Sequence, residues 1–147
     1  MLKDKHDMEQ SYYQKQLKVL RPTDDEFKEC LLYEPYLVLR NCWKADTCAP
    51  RMRKDWSEEN LTLGQCSITS FLIQDEFGGE VYGVPLGDGN FHCFNVIDGI
   101  AYDITSEQFK EDLHYDLDFI QSREVHFAKQ EKYERYLLLK ERYEKTK

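Results

Sequence analysis

Cys66 follows a Gly-Gln pair in the stretch TLGQCSITSFLIQDEFGG, residues 62–79, and apolar residues at helical spacing follow it. The spacing predicts a helix from about residue 64 to residue 77, which stops at Gly78-Gly79. A thiol in the first turn of a helix lies near free backbone N–H groups and the positive end of the helix dipole, and both favour the thiolate. Cys66 is therefore a candidate nucleophile.

The segment after this helix alternates with a period of two. The alternation predicts three strands over residues 80–86, 91–97 and 100–105. Asp98-Gly99 suits a two-residue type I′ turn, which pairs Ile97 with Ile100. We therefore expect an antiparallel meander.

This register brings His92 and Asp103 together on one face of the sheet. They become diagonal neighbours with Cβ atoms about 7 Å apart, a gap that an imidazole and a carboxylate can close with a hydrogen bond. If the predicted helix packs on the same face, Cys66, His92 and Asp103 form a catalytic triad of nucleophile, base and orienting residue. A three-residue turn would instead put His92 and Asp103 on opposite faces.

Each of these residues also has a structural explanation. Cysteine is among the most often buried residues, and any strand can carry a His or an Asp. The remaining histidines are explained by the N-terminal arm (His6) or by solvation among charged residues (His114 and His126). Spacing alone therefore leaves the triad and the purely structural interpretation both open.

Composition excludes several classes of function. The chain has 147 residues, 41% of them hydrophobic and 33% charged, which fits a single domain, 1–147, with no membrane span. A formal net charge of -8 disfavours nucleic acid and anionic membranes as partners. The first residues lack the apolar stretch of a signal peptide, so we expect a cytoplasmic protein.

The cysteine content argues against a disulfide framework and against a metal site. Five cysteines are an odd number, which predicts free thiols in an intracellular protein. Cys42 and Cys48 have no nearby His at a spacing typical of zinc, and we expect neither metal nor cofactor. A redox role for Cys48 or Cys93 stays open.

The rest of the chain predicts an α+β fold. We expect a flexible arm over residues 1–21, a helix that begins with a Thr23/Glu26 capping box, and a second helix from Pro35. Residues 44–63 are predicted to be an ordered loop, and the segment from Ser106 onward to contain a closing helix. In this arrangement the N-terminal helices and the central Cys66 helix pack on a small antiparallel sheet.

Three segments resemble the YunG family of small uncharacterised bacterial proteins. They are CAPRMRKDWSEENLTLGQCSITSFLIQDEFGGEVYGV, FHCFNVIDGIAYDITSEQF and RYLLLKERYE, and the resemblance covers roughly residues 35–147. It implies a site at Cys66, His92 and Asp103, but no substrate. Cys93 departs from the pattern, because an aromatic residue is expected after the His.

The order of Cys, His and Asp on a helix and two adjacent strands is also that of papain-like and transglutaminase-like cysteine enzymes, so a core of that type is expected. Asn60 lies six residues before Cys66, where papain-like enzymes place an oxyanion-stabilising glutamine. Gln65 and Trp56 are further candidates at the site. Capping of the helix by Gln65 and anchoring of the loop by Trp56 are the structural alternatives.

Two functions follow from these observations. The first is a cysteine hydrolase or acyltransferase that acts on an amide, thioester or peptide bond of a peptide or small-molecule substrate. The second is a noncatalytic module of the same fold that binds a protein or peptide, an interpretation motivated by the acidic surface and the tyrosine-rich ends of the chain. The sequence leaves the substrate and the oligomeric state open.

Overall fold

The computed structural model describes residues 17–147, and the α+β class is confirmed. In this part of the chain the helices are α1 (Tyr33–Leu39), α2 (Cys66–Phe77), α3 (Arg123–Phe127) and α4 (Gln130–Thr146). The strands are β1 (Val19–Leu20), β2 (Glu80–Pro85), β3 (Phe91–Ile97) and β4 (Ile100–Tyr102). Short 3-10 turns occur at Asp25–Glu29, Ala45–Thr47, Pro50–Asp55 and Ser106–Gln108.

The sheet contains the predicted hairpin and one strand that the sequence did not predict. Ile97 lies opposite Ile100, and the turn between them has φ values of 51° at Asp98 and 80° at Gly99, as a type I′ turn requires. The strand order is β1-β4-β3-β2, and β1 runs parallel to β4. The sheet is therefore mixed, and the expectation of a purely antiparallel meander is wrong. A strand of two residues is too short to show an alternation of apolar and polar residues, so the sequence does not predict β1.

Residues 17–21 belong to the fold rather than to an arm. Val19 lies opposite Ala101 and Leu20 opposite Tyr102, and Leu20 is buried. The backbone N–H of Asp103 donates to the carbonyl of Leu20 over 3.0 Å. The remainder of the predicted arm, residues 1–16, lies outside the described residues.

The two faces of the sheet carry different cores. The larger core joins α2 to the face of β3 that bears Cys93 and Ile97, and Leu139 of α4 belongs to it. The smaller core lies on the other face, around Phe94 and Ala101. Because side chains alternate along a strand, His92 and Asp103 lie on this second face. The sequence predicts that the Cys66 helix covers the face of His92 and Asp103, but α2 packs on the opposite face. Cys66 can contact His92 only because it lies at the first turn of α2, beside the start of β3.

The first predicted helix is also shorter than expected. In place of a helix with a Thr23/Glu26 capping box, the chain forms the 3-10 turn Asp25–Glu29, whose first turn has no side-chain cap. Asp24 instead accepts a hydrogen bond from the Arg21 backbone N–H at 2.8 Å, which fixes a tight turn before the 3-10 segment. Helix α1 begins at Tyr33 and holds Pro35 in its first turn, where a proline is tolerated.

Two adjacent glycines at the end of α2 provide a matched test of this packing. Gly78 and Gly79 have φ values of 77° and 76°. A Cβ atom on Gly79 would lie 2.3 Å from the carbonyl oxygen of Val96, whereas a Cβ on Gly78 would meet nothing within 4 Å. We expect Gly78→Ala to lower the free energy of unfolding by about 1–3 kcal/mol through backbone strain alone.

Gly79→Ala is expected to lower the free energy of unfolding by more than Gly78→Ala does, because β3 must shift as well. Urea titration of both variants measures the difference. Equal losses in the two variants would contradict the close approach of Gly79 to β3.

Candidate active site

A cleft of about 670 Å³ opens beside the first turn of α2. Its walls come from the loop before α2, from the start of β3 and from the segment that leads into α3 and α4. Cys66 and His92 both line it, and Cys66 is partly exposed there. The cleft thus brings a candidate nucleophile and a candidate base to one accessible space.

His92 and Asp103 form a buried pair at the back of this cleft. The imidazole Nε2 of His92 lies 2.9 Å from Oδ1 and 2.8 Å from Oδ2 of Asp103. Each residue is 1% exposed. The ring of Phe109 packs edge-on against the imidazole, with the ring centroids 4.6 Å apart. These contacts fix the plane of the imidazole.

The carboxylate of Asp103 has further partners. The hydroxyl of Tyr115 donates to Oδ2 over 2.5 Å, and the hydroxyl of Thr105 lies 3.5 Å from Oδ1. Burial and the adjacent carboxylate both raise the pKa of Tyr115, so the phenol keeps its proton and acts as a donor. Asp103 is therefore held by hydrogen bonds from several directions and is well placed to orient His92.

The two nitrogens of His92 differ in their surroundings. Nε2 is bonded to Asp103, while Nδ1 is buried and has no hydrogen-bond partner among residues 17–147. Burial disfavours the charged imidazole, but Asp103 and the Cys66 sulfur outweigh it and raise the pKa of His92 to about 10. His92 is thus an imidazolium at neutral pH.

The Cys66 thiol lies in surroundings that favour the thiolate. A hydrogen bond from the Cys93 thiol lowers the pKa of Cys66 well below its ordinary value; burial acts against this, and His92 lowers it further. The same contact and burial raise the pKa of Cys93. One neighbour acts the other way, because the carbonyl oxygen of Phe91, 4.0 Å from the Cys66 sulfur, can accept a hydrogen bond only from the protonated thiol. The directions of the two pKa shifts therefore favour a thiolate–imidazolium pair of Cys66 and His92.

The structure does not bring the second-rank candidates to Cys66. Gln65 is fully buried, and its side chain donates to the carbonyl of Lys44 over 3.0 Å instead of capping α2. Asn60 lines a separate depression beside Arg40 and Glu107. The Trp56 indole donates to the carbonyl of Leu61 over 2.9 Å, which anchors the loop. None of the three lines the cleft.

Sequence reasoning missed four residues of the site. Tyr115 lies in irregular chain, where no periodic pattern predicts its approach to Asp103. Cys93 contacts Cys66 only because α2 packs on the unexpected face of β3. His126, expected to be solvated, lines the cleft together with Lys132, and the two side chains lie 2.9 Å apart. His126 and Lys132 are six residues apart and lie on different helices, so no helical spacing in the sequence indicates that they come together.

The described residues offer neither a metal centre nor a membrane span. Over residues 17–147, no three His, Cys, Asp or Glu side chains converge in a way that suits a metal ion. No helix in that range is long and apolar enough to cross a membrane.

The fold and the site define a small α+β protein with a cysteine at a helix start beside a buried His–Asp pair. The chain belongs to the YunG family, whose model, described as YunG protein, matches residues 32–147. "Uncharacterized protein YunG" of Bacillus subtilis (strain 168) is 36% identical to it over 78 residues. That match covers 53% of this chain and 63% of the relative. No solved structure matches the chain.

Proposed function

We propose that this protein is a cysteine hydrolase or acyltransferase that acts on an amide, thioester or peptide bond. Cys66 is the nucleophile, His92 carries the proton, and Asp103 fixes the tautomer and orientation of His92. The observation that carries the proposal is the two-sided environment of His92, with one ring nitrogen bonded to Asp103 and the other without a partner beside a thiol that lines a cleft. This is the arrangement that activates a nucleophile through a positioned base.

The proposed reaction has two steps. The Cys66 thiolate attacks the carbonyl carbon of the substrate, a C–S bond forms, and the carbonyl electrons move onto the oxygen. The imidazolium of His92 gives its Nδ1 proton to the leaving nitrogen or sulfur, whose bond to the carbonyl carbon breaks. Neutral His92 then takes a proton from water or an acceptor, which attacks the thioester and releases the Cys66 thiolate.

The backbone supplies the stabilisation of the oxyanion. The Cys66 N–H is at the first position of α2, where it has no partner within the helix, and it makes no backbone hydrogen bond among the described residues. An oxyanion formed at the carbon attacked by Cys66 lies next to this N–H. Gln65, Asn60 and Trp56 have no part in this proposal.

A noncatalytic peptide-binding module is the alternative function. A sealed Cys66 without a cleft would have favoured it. Because Cys66 is partly exposed beside a cleft of about 670 Å³, the observations favour catalysis.

Alkylation by iodoacetamide tests the proposal without a known substrate. Cys66 is expected to react readily at pH 6, where an ordinary thiol is less than about 1% ionised. Cys30 is a reference within the same chain, because it is also partly exposed and burial raises its pKa. Peptide mapping by mass spectrometry gives the rate at each cysteine as a function of pH.

His92→Ala should slow the alkylation of Cys66 at pH 6 by about tenfold or more, since the positive partner of the thiolate is removed. The rate at Cys30 should not change. An ordinary alkaline pKa for Cys66 that His92→Ala leaves unaltered would rule out the proposed function.

A further inference from the structure

The cleft has a charge opposite to that of the whole chain. Although the formal net charge is -8 and the Cys66–His92 pair adds no net charge to the cleft, four Lys and Arg side chains and one carboxylate also line it. These residues are Arg51, Lys129, Lys132, Arg135 and Glu131. Walls of low dielectric constant concentrate such a field, so the cleft attracts anions that the rest of the surface repels.

Only part of this positive charge is neutralised by the protein itself. Arg135 is paired with Glu131 over 2.8 Å and also donates to the carbonyl of Thr47. Arg51, Lys129 and Lys132 form no ion pair with a carboxylate among residues 17–147. Arg51 and Lys129 are exposed, whereas Lys132 is partly buried and is the least solvated of the three.

His126 holds the Lys132 ammonium in place, and Gln121 orients His126. The Nε2 of His126 lies 2.8 Å from Oε1 of Gln121, and this amide oxygen accepts the imidazole proton. The opposite nitrogen, Nδ1, then accepts a hydrogen bond from Lys132 Nζ over 2.9 Å. Burial, and after it the charge of Lys132, lowers the pKa of His126 to about 4, so His126 is neutral and acts as an acceptor.

This arrangement leaves the ammonium free to bind a ligand. An ammonium has three N–H donors, and His126 is the one acceptor that Lys132 has among residues 17–147. Burial, and after it the charge of Lys129, lowers the pKa of Lys132, whereas negative charge on the nearby sulfurs of Cys93 and Cys66 raises it. A partly buried cation therefore faces the cleft near the nucleophile.

Apolar side chains line a large part of the rest of the cleft, beside the polar Ser67, Asn90 and Gln108. The apolar side chains are Leu63, Leu86, Phe91, Phe109 and Val125. Leu86 and Val125 are 37% and 70% exposed, so apolar surface is open to a ligand at the mouth of the cleft. The site thus combines an apolar wall with one positioned cation.

We propose that the substrate is an acyl compound that carries a carboxylate, and that Lys132 binds this carboxylate beside the carbonyl group that Cys66 attacks. The inference rests on the proposed function, because it assigns the substrate class of the same site. A single ammonium balances the single charge of a carboxylate, and the apolar wall accommodates the carbon chain between the two groups. His126 and Gln121 are positioning residues, since they act through Lys132.

The test compares an anionic and a neutral reagent of nearly equal size. Iodoacetate and iodoacetamide both alkylate Cys66 by the same step, in which a C–S bond forms and iodide leaves. The iodoacetamide rate reports the thiolate fraction, so the ratio of the iodoacetate rate to the iodoacetamide rate isolates the recognition of the carboxylate. Lys132→Gln is expected to lower this ratio about fivefold at low salt, and Lys132→Arg to restore most of it.

Lys145→Gln is the matched control. Lys145 lies on α4 as well, is exposed and does not line the cleft. This change removes the same charge and should leave the ratio unaltered. If the glutamine variant of Lys132 does not fold, Lys132→Met keeps the aliphatic stem and removes the same charge.

The outcomes separate this inference from the proposed function. If Lys132→Gln leaves the ratio of the two alkylation rates unchanged, or if Lys145→Gln lowers it equally, the proposed substrate class is wrong. A low pKa of Cys66 would still support the triad in that case. If iodoacetamide alkylation gives an ordinary alkaline pKa for Cys66, the proposed function itself is wrong, whatever the ratio of the two rates.

Discussion

Replacing Cys66 with alanine is expected to abolish turnover, and replacing His92 with alanine to leave only a trace. Cys66→Ala removes the atom that forms the covalent bond to the substrate. His92→Ala removes both the cation that stabilises the thiolate and the proton for the leaving group. Initial rates on a panel of amide, thioester and peptide substrates measure both losses.

Cys30→Ala is the control for the loss of a thiol. Cys30 is partly exposed and does not line the cleft, so its removal should leave the rate unaltered. Circular dichroism checks that the Cys66 and His92 variants fold. Residual turnover of a folded Cys66→Ala protein close to the wild-type rate would mean that another group performs the attack.

Asp103→Asn is expected to give a clear loss of turnover, smaller than the losses in Cys66→Ala and His92→Ala. The corresponding change in a serine protease costs about 10⁴-fold in rate. A thiolate–imidazolium pair depends less on the carboxylate, since the thiolate is already formed before substrate arrives. The asparagine amide can donate to Nε2 of neutral His92, which moves the ring proton to Nδ1 and leaves no lone pair there for general base catalysis.

The pH dependence of this variant distinguishes an orienting role from a merely structural one. In the wild-type protein the rate should fall on the alkaline side as His92 loses its proton, with a pKa of about 10. Without the Asp103 charge, burial dominates and lowers the pKa of His92, so the alkaline limb should move to lower pH. The measurement is the pH profile of kcat/KM for both proteins.

Thr105→Val serves as the comparison for Asp103→Asn, because it removes the weaker hydrogen bond to Asp103 at 3.5 Å and keeps the carboxylate. The alkaline limb of the kcat/KM profile of Thr105→Val should stay at the same pH as in the wild-type protein. A fully active Asp103→Asn variant would remove Asp103 from the site, and an unfolded one would show that the carboxylate serves the hairpin instead.

The His92–Asp103 pair could be located from the sequence because one turn determines it. Asp98-Gly99 selects a two-residue turn, the turn sets the register, and the register places the two side chains within reach of each other. The start of α2 was predictable for a similar reason, since Cys66 opens a run of helical spacing that two glycines close. Local patterns of this kind carry their information within a few residues.

The rest of the site depends on contacts between distant segments. The alternation along β3 does not say which face α2 covers, because both faces carry apolar residues. Cys93 stands out in the sequence only as a departure from a family pattern, and its contact with Cys66 depends on the face of β3 that α2 covers. Lys132 lies in the predicted closing helix, and its place in the cleft depends on where α3 turns into α4. No local period encodes these placements.

The path of the chain over β2 has a consequence for assembly. Gly83 donates to the carbonyl of Phe119 and Gln121 donates to the carbonyl of Val81, both over 2.8 Å, so residues 119–121 cover the outer edge of the sheet. A Cβ atom on Gly83 would lie 2.7 Å from the Gln121 side chain. The opposite edge, β1, is only two residues long.

Within residues 17–147, neither edge of the sheet therefore offers a long row of unpaired backbone groups to a second molecule. A side chain at Gly83 would also lie 2.9 Å from Cβ of Phe91, so we expect a bulky residue there to crowd the covering segment and to weaken its protection of β2 against intermolecular strand pairing. The absence of a side chain at Gly83 thus leaves room for the segment that covers this edge of the sheet.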